Sequence, residues 1–214
     1  MEQNVSMKIN ELPSPTWNWL KVNETPIKWS NKIEPCEIAA EGDAVSTETE
    51  QLSDIETGAG READAIFATE NTAKYQILAD NAGQDKTVRL HISGKKDAHM
   101  AGCVEIVAKE NSTLTVVMDS RVAPDATKEE DSTAEASLAV RVRMKVESGA
   151  SVRLVQVQMP QEHETLLSDI GGNLIGEGAK VEYIQLFLGK GNLYSGCRMD
   201  LNGKESNFAT ETGY

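Results

Sequence analysis

Few side chains in this 214-residue chain have the chemistry to act as ligands or nucleophiles: three cysteines, Cys36, Cys103 and Cys197, and three histidines, His91, His99 and His163. A metal site needs several such groups converging at bonding distance, and a nucleophile needs an activating neighbour. His99 and Cys103 are four residues apart, which on a helix would place them on one face. On a strand they also share a face but stand roughly 13 Å apart, too far to chelate one ion. Cys197 lies in Tyr194-Ser195-Gly196-Cys197-Arg198-Met199-Asp200-Leu201, beside a turn and next to a cation able to lower a thiol pKa. The competing reading of Cys197 is a small thiol in a core. His163 stands between Glu162 and Glu164, with Asp169 following, but neighbours on an extended chain point to opposite faces. No Cys-x-x-Cys, His-Glu-x-x-His or Gly-x-Ser-x-Gly motif occurs. The candidate metal-ligating residues are therefore Cys197, Cys103 and His99, none of them assigned as a ligand, and no catalytic or cofactor-binding residue is nominated. A non-enzymatic β-rich scaffold is the expectation from the residues.

The elements that would have to position these groups are short strands. Apolar runs recur at Lys74–Leu78, Thr87–Ile92, Gly102–Ala108, Leu114–Met118, Leu138–Val146, Val152–Met159, Val181–Leu188 and Asn192–Leu201. Val140, Val142, Met144 and Val146 keep period two, as do Val155, Val157 and Met159, which predicts one inward and one solvated face. Gln156, Gln158, Gln185, Arg153 and Glu182 are placed on the outer side, and Arg141, Arg143 and Lys145 read as a solvated strand face. No helix-period segment separates the strands, which excludes a Rossmann-type or α/β-barrel fold.

One motif returns. Asn111-Ser112-Thr113-Leu114 is echoed by Gly149-Ala150-Ser151-Val152 and again by Gly178-Ala179-Lys180-Val181, each opening an apolar run. A β-sandwich has no need of such a match between strands. A β-solenoid does, because each coil turns at the same place and stacks like on like. Residues 63–214 are thus expected to stack about four β-coils, open at the C-terminal end, with a polar surface loop inserted at Ala123–Ala134.

The remaining segments differ in composition. Residues 1–33 form an arm in which Pro13 and Pro15 forbid a continuous helix while Thr16 can cap a short one carrying Trp17 and Leu20. Residues 34–62 belong to an acidic stretch and read as a solvated loop or linker, with Gly58-Ala59-Gly60 turning into the first strand. That glycine turn lacks the Gly-Lys-Ser/Thr ending of a phosphate loop. Residues 1–70 hold 14 acids against 5 bases, and the whole chain carries a net charge of −13, a poor match to nucleic acid. Apolar runs are far shorter than the roughly 20 residues needed to cross a bilayer, so no membrane role is expected. Widely spaced cysteines, odd in number, suit a reducing cytoplasm.

The residues also resemble a known family. Leu12-Pro13-x-Pro15-Thr16-Trp17-Asn18-Trp19-Leu20-Lys21-Val22-Asn23 is similar to the opening of the SufD-like branch of the SufB/SufD proteins. Further likeness lies in Ala150-x-Val152-Arg153-Leu154-Val155-Gln156, Leu166-Leu167-x-Asp169-Ile170-Gly171-Gly172, Gly176-Glu177-Gly178-Ala179, the Cys197 segment and Thr212-Gly213-Tyr214. The resemblance implies a right-handed parallel β-helix with a short N-terminal helical arm, serving iron–sulfur cluster assembly. It implies as partners a SufB-like or SufD-like subunit and a SufC-type ATPase, with a homodimer as a further arrangement. It places the ATPase-docking helices and the cluster-holding residues in a later part of the family's fold than Tyr214. The expectation is a truncated form, or a short relative whose end another subunit covers, with no cluster held by this chain alone. A glycan-binding or glycan-processing β-solenoid and a purely structural interaction module are the other readings.

Overall fold

The structure is a computed structural model that describes residues 4–11, 24–43, 52–68, 70–80, 82–123 and 135–214. Alternating apolar residues dictate its elements. The described strands are β1 (Asn4–Ile9), β2 (Thr25–Ser30), β3 (Glu34–Pro35), β4 (Glu37–Gly42), β5 (Ala73–Ala79), β6 (Asp85–Ser93) and β7 (His99–Ala108), followed by β8 (Thr113–Arg121), β9 (Ala136–Val146), β10 (Ser151–Gln158), β11 (Glu164–Leu174), β12 (Lys180–Phe187), β13 (Asn192–Leu201) and β14 (Asn207–Gly213). A 3-10 turn at Arg61–Ala63 runs into one helical turn, α1 (Asp64–Phe67).

From β5 onward successive strands alternate between two sheets, each built of parallel neighbours. One sheet runs β14-β12-β10-β8-β6, with β4 added antiparallel at its end; the other runs β13-β11-β9-β7, with β3 and β5 both beside β7. Five coils result, β5–β6 through β13–β14, so the fold is a mainly β parallel solenoid. Inward side chains such as Val88, Leu90, Val116, Met118, Val142, Met144, Leu154 and Ile170 form one continuous buried cluster between the sheets. Each contributes about 1.5–3 kcal/mol by leaving water.

The returning motif is the hinge of each coil. Thr113, Ser151 and Lys180 are register partners, and Asp85 and Asn207 extend the same row. Two residues before each lies a left-handed residue: Gly83 (φ 78°), Asn111 (φ 59°), Gly149 (φ 66°), Gly178 (φ 69°) and Glu205 (φ 57°). The chain bends sharply there, and a residue in this left-handed region makes the bend. The motif was legible in three coils. The first coil turns the same way at Gly83-Gln84-Asp85 without the small second residue, and the last at Glu205-Ser206-Asn207 without the leading Gly or Asn, so five coils stand where about four were expected.

Upstream of the coils the structure departs from the expected acidic loop. Residues 34–42 supply β3 and β4, and Leu52, Ile55 and Ala59 are buried. Charge content misled here, because the few apolar residues are spaced to reach the sheet while the acids face water. The segment Ala63–Ala68 is helical rather than the lead-in to a strand. The antiparallel β1–β2 hairpin and α1 pack Met7, Ile9, Ile27, Trp29, Ile66 and Phe67 on Ala101, Ala139 and Leu167, which are register partners on the outer face of the second sheet. The helix expected at Thr16–Leu20 and most of the loop expected at Ala123–Ala134 lie outside the described residues.

Two glycine substitutions separate turn strain from close packing. A Cβ at Gly178 would meet nothing within 4 Å, so Gly178→Ala feels only the positive φ and is expected to cost about 1 kcal/mol. A Cβ at Gly171 would stand 2.4 Å from the Glu56 carbonyl oxygen, against backbone. Gly171→Ala is therefore expected to cost more, about 2–3 kcal/mol, by lifting residues 56–57 off the sheet. Urea unfolding of both variants measures the order.

Candidate functional site

The parallel register brings one row of outward residues together on the second sheet: Cys103, Arg141, Asp169 and Gly196. Arg141 was expected on a solvated face, yet its side chain is only 3% exposed and that of Asp169 is fully buried. Residues 52–67 lie across this face and bury it. Arg141 Nε donates to Asp169 Oδ2 at 2.7 Å, and Nη1 donates to Asp64 Oδ1 at 2.8 Å. The Phe67 ring centroid lies 4.1 Å from the guanidinium carbon, so α1 contributes both a carboxylate and an aromatic face. Asp169 also accepts from Thr57 Oγ1 at 2.7 Å and from the Ala59 backbone N–H at 2.8 Å. Gly58 N–H donates to the Ile170 carbonyl at 3.0 Å, and Gly171 and Gly196 let the 56–59 backbone lie directly on the strands. The sequence marks Asp169 as a carboxylate after His163 and as part of the Leu166–Gly172 resemblance, without a partner, because β11 is not legible as a strand.

The three candidate ligands do not converge. His99 and Cys103 share the outer face of β7 at opposite ends of a five-residue span, and His99 Nδ1 is engaged by Ser137 Oγ at 2.7 Å. Cys103 borders a cavity beside Arg141, where burial pushes its thiol pKa up against the opposing pull of Arg141 and Arg143. Cys197 is register partner to Ile170 and so faces the space between the sheets. Its strand is three rungs from that of Cys103, about 14 Å along the stack. Cys36 is buried in the core against Gly102, its thiol pushed up to about 12, chiefly by burial. Among the described residues no group of three or more His, Cys, Asp or Glu side chains could hold a metal ion.

Around Cys197 the interior is polar. Gln156 and Gln158 were expected outside and Val155 and Val157 inside; the structure reverses this, with Gln156 and Gln158 each 1% exposed. Val152 and Leu154 set the inward phase of β10, and the two glutamines follow in the same phase. Gln156 Oε1 accepts from Tyr183 OH at 2.7 Å, Ser168 Oγ at 2.9 Å and Gln158 Nε2 at 3.3 Å. Gln185, likewise inside, donates through Nε2 to Gln158 Oε1 at 2.8 Å and to Ser195 Oγ at 3.0 Å. Burial also raises the Tyr183 phenol pKa. Cys197 stands in the mouth of this network, open to solvent on one side and enclosed by protein on the others. That enclosure, with the Asp169 carboxylate, pushes its thiol up to about 11, opposite to the shift expected from Arg198. Arg198 points to the other face, where it pairs with Glu56 and with Asp200 at 3.3 Å.

Asp169→Asn removes the charge that faces buried Arg141 and is expected to cost about 3 kcal/mol in urea unfolding. Replacing both partners, Arg141→Met with Asp169→Leu, is expected to cost less than the single change. Cys197 is thiolate for only about one part in a thousand at pH 8 with its pKa near 11. Its alkylation by iodoacetamide, read by peptide mass, is expected to quicken about tenfold per pH unit above 8; a fast, pH-independent reaction would contradict the shift.

Comparison with known proteins returns one family. Residues 91–214, from the end of β6 through the last coil, match the family described as SUF system FeS cluster assembly, SufBD core domain. No curated protein and no solved structure matches the chain. The match covers more than half of the sequence and coincides with stacked coils of the kind described above, so the chain belongs to the SufB/SufD core family of the SUF system for iron–sulfur cluster assembly.

Proposed function

We propose that this chain is a non-catalytic scaffold subunit of the SufD-like type, which builds iron–sulfur clusters only together with a SufB-like subunit and a SufC-type ATPase in the cytoplasm. The observation that carries the reading is the state of its thiols. All three are raised in pKa, and they occupy three separate environments: a core, an outer cavity and the polar interior beside Tyr183. Iron–sulfur clusters are held by thiolates acting in a set, so the cluster is cargo whose ligands converge in the complex. The SufD-like assignment rests on the Leu12–Asn23 segment and on Leu166-Leu167-x-Asp169-Ile170-Gly171-Gly172, whose Asp169 organises the cap. No helix among the described residues is long and apolar enough to cross a membrane.

Affinity capture of the tagged chain, co-expressed with a SufB-like subunit and a SufC-type ATPase, is expected to retain the SufB-like subunit at a fixed ratio. Recovery of the chain alone, or as a homodimer only, would remove the heteromeric reading. Anaerobic reconstitution of the isolated chain with iron and sulfide is expected to leave no stoichiometric cluster after desalting, by iron content and visible absorption.

A further inference from the structure

A cavity of about 280 Å³ opens on the outer face of the second sheet, between α1 and the segment that starts at Leu52. Lys74, Arg141 and Arg143 line it together with Asp64 and Glu105, beside Phe67, Gln76 and Cys103. Its volume lies just below the roughly 300–1,000 Å³ of sites for drug-sized molecules, so an occupant is small. Three observations fix the chemistry of that occupant. Arg141 is 97% buried by its 3% exposure, and although Nε and Nη1 are committed to Asp169 and Asp64, Nη2 has no hydrogen-bond partner. A buried guanidinium N–H left unpaired is costly and calls for an acceptor. The charges acting on the Cys103 thiol are Arg141, Arg143 and Lys74 on one side and Glu105 alone on the other. Glu105 is itself occupied, accepting from Gln76 Nε2 at 2.8 Å and from the Leu52 N–H at 3.4 Å, while Asp64 is held by Arg141. Arg143 spends Nε on the Ile55 carbonyl at 3.1 Å, and Lys74 is exposed at the rim.

We propose that this cavity is a binding site for a small oxyanion of the phosphate class, received by Arg143 and Lys74 at the mouth with the Arg141 guanidinium behind them. Guanidinium groups match tetrahedral oxyanions through paired N–H donors, and the half-buried setting shields the pair from salt. The thiol of Cys103 takes no chemical part and serves as a built-in reporter, since an anion seated beside it blocks its approach to reagents. The site lies on the capped outer face and uses none of the residues around Cys197.

Alkylation of Cys103 by iodoacetamide at pH 8.5, followed by peptide mass in the full chain, tests this. Inorganic phosphate is expected to slow the reaction about threefold at twice its Kd, against sodium chloride of equal ionic strength, as one-site occupancy requires. Cys197, outside the cavity, is expected to react at an unchanged rate. Lys74→Gln, an exposed and structurally harmless change, is expected to weaken the protection, and Arg143→Gln to abolish it. Acetate is expected to protect less than phosphate. Equal rates in phosphate and chloride, or protection that survives in the Lys74→Gln/Arg143→Gln double variant, would overturn the site. Equal slowing of Cys103 and Cys197 would overturn it as well, by showing a general salt effect.

Discussion

The buried pair of Arg141 and Asp169 decides how the two parts of this molecule fit together. A solenoid sheet has two faces, and here the outer face of one sheet is covered by chain that precedes the coils. Covering a charged row is unfavourable unless every charge finds a partner, since desolvating an ion costs several kcal/mol. Asp169 meets that condition with three donors from two directions: Arg141 beneath it in the sheet, and Thr57 and Ala59 from the cap. Such a pair adds little net stability over a well-packed apolar substitute. What it adds is position. A cap shifted along the strands by one residue would leave a carboxylate and a guanidinium buried and unpaired, so only one docking is permitted.

Several features of the sequence follow from that docking. Gly58, Gly171 and Gly196 are small because backbone lies on backbone there, with hypothetical Cβ atoms falling 2.0–2.4 Å from the opposing chain. Ala101 and Ala139 are small one row away, where Ile66 and Phe67 of the helical turn settle. The acids of the 52–64 segment are not merely solvating: Asp64 reaches Arg141, and Glu56 reaches Arg61 and Arg198. A stretch that composition describes as a charged linker is therefore a fitted cover.

The solenoid itself was legible because its signal is repeated. At three of the turns the residue pair has a local backbone cause, a left-handed residue followed by a small buried one, and three copies suffice to show the period. β11 was not legible, since Ser168, Asp169, Gly171 and Gly172 break the apolar alternation from which strands are read, and they do so for a tertiary reason. Two face the cap or the core polar network, and two make room for other chain. The phase of β10 failed for a related cause. Both its faces carry aliphatic residues, and only the neighbouring strands decide that Gln156 and Gln158 turn inward. His99 and Cys103 share one strand at a separation that any strand imposes. The cavity beside Cys103 was beyond reach, for its walls come from β5, β7, β9 and the helical turn, which sequence distance separates.

The interior changes character along the stack, and this bears on where the molecule can yield. The row Leu90–Met118 is aliphatic; its continuation is Gln156, Gln185 and Thr212. Another row passes from Val116 through Leu154 to Tyr183 and Thr210. Where Gln156, Tyr183 and Gln185 enter these rows, hydrogen bonds replace apolar burial; they contribute less net free energy per group and penalise any donor left over, such as Gln156 Nε2. The cap does not compensate, because its clamp reaches β9 and β11, touches β13 through Gly196 and Arg198, and leaves β14 on the opposite sheet uncovered. The central coils are thus held by core and cap together. Local opening free energies fall where apolar contacts are few, so among the described coils the polar interior at Gln156 and Gln158 is held less firmly than the aliphatic interior at Val116 and Met118.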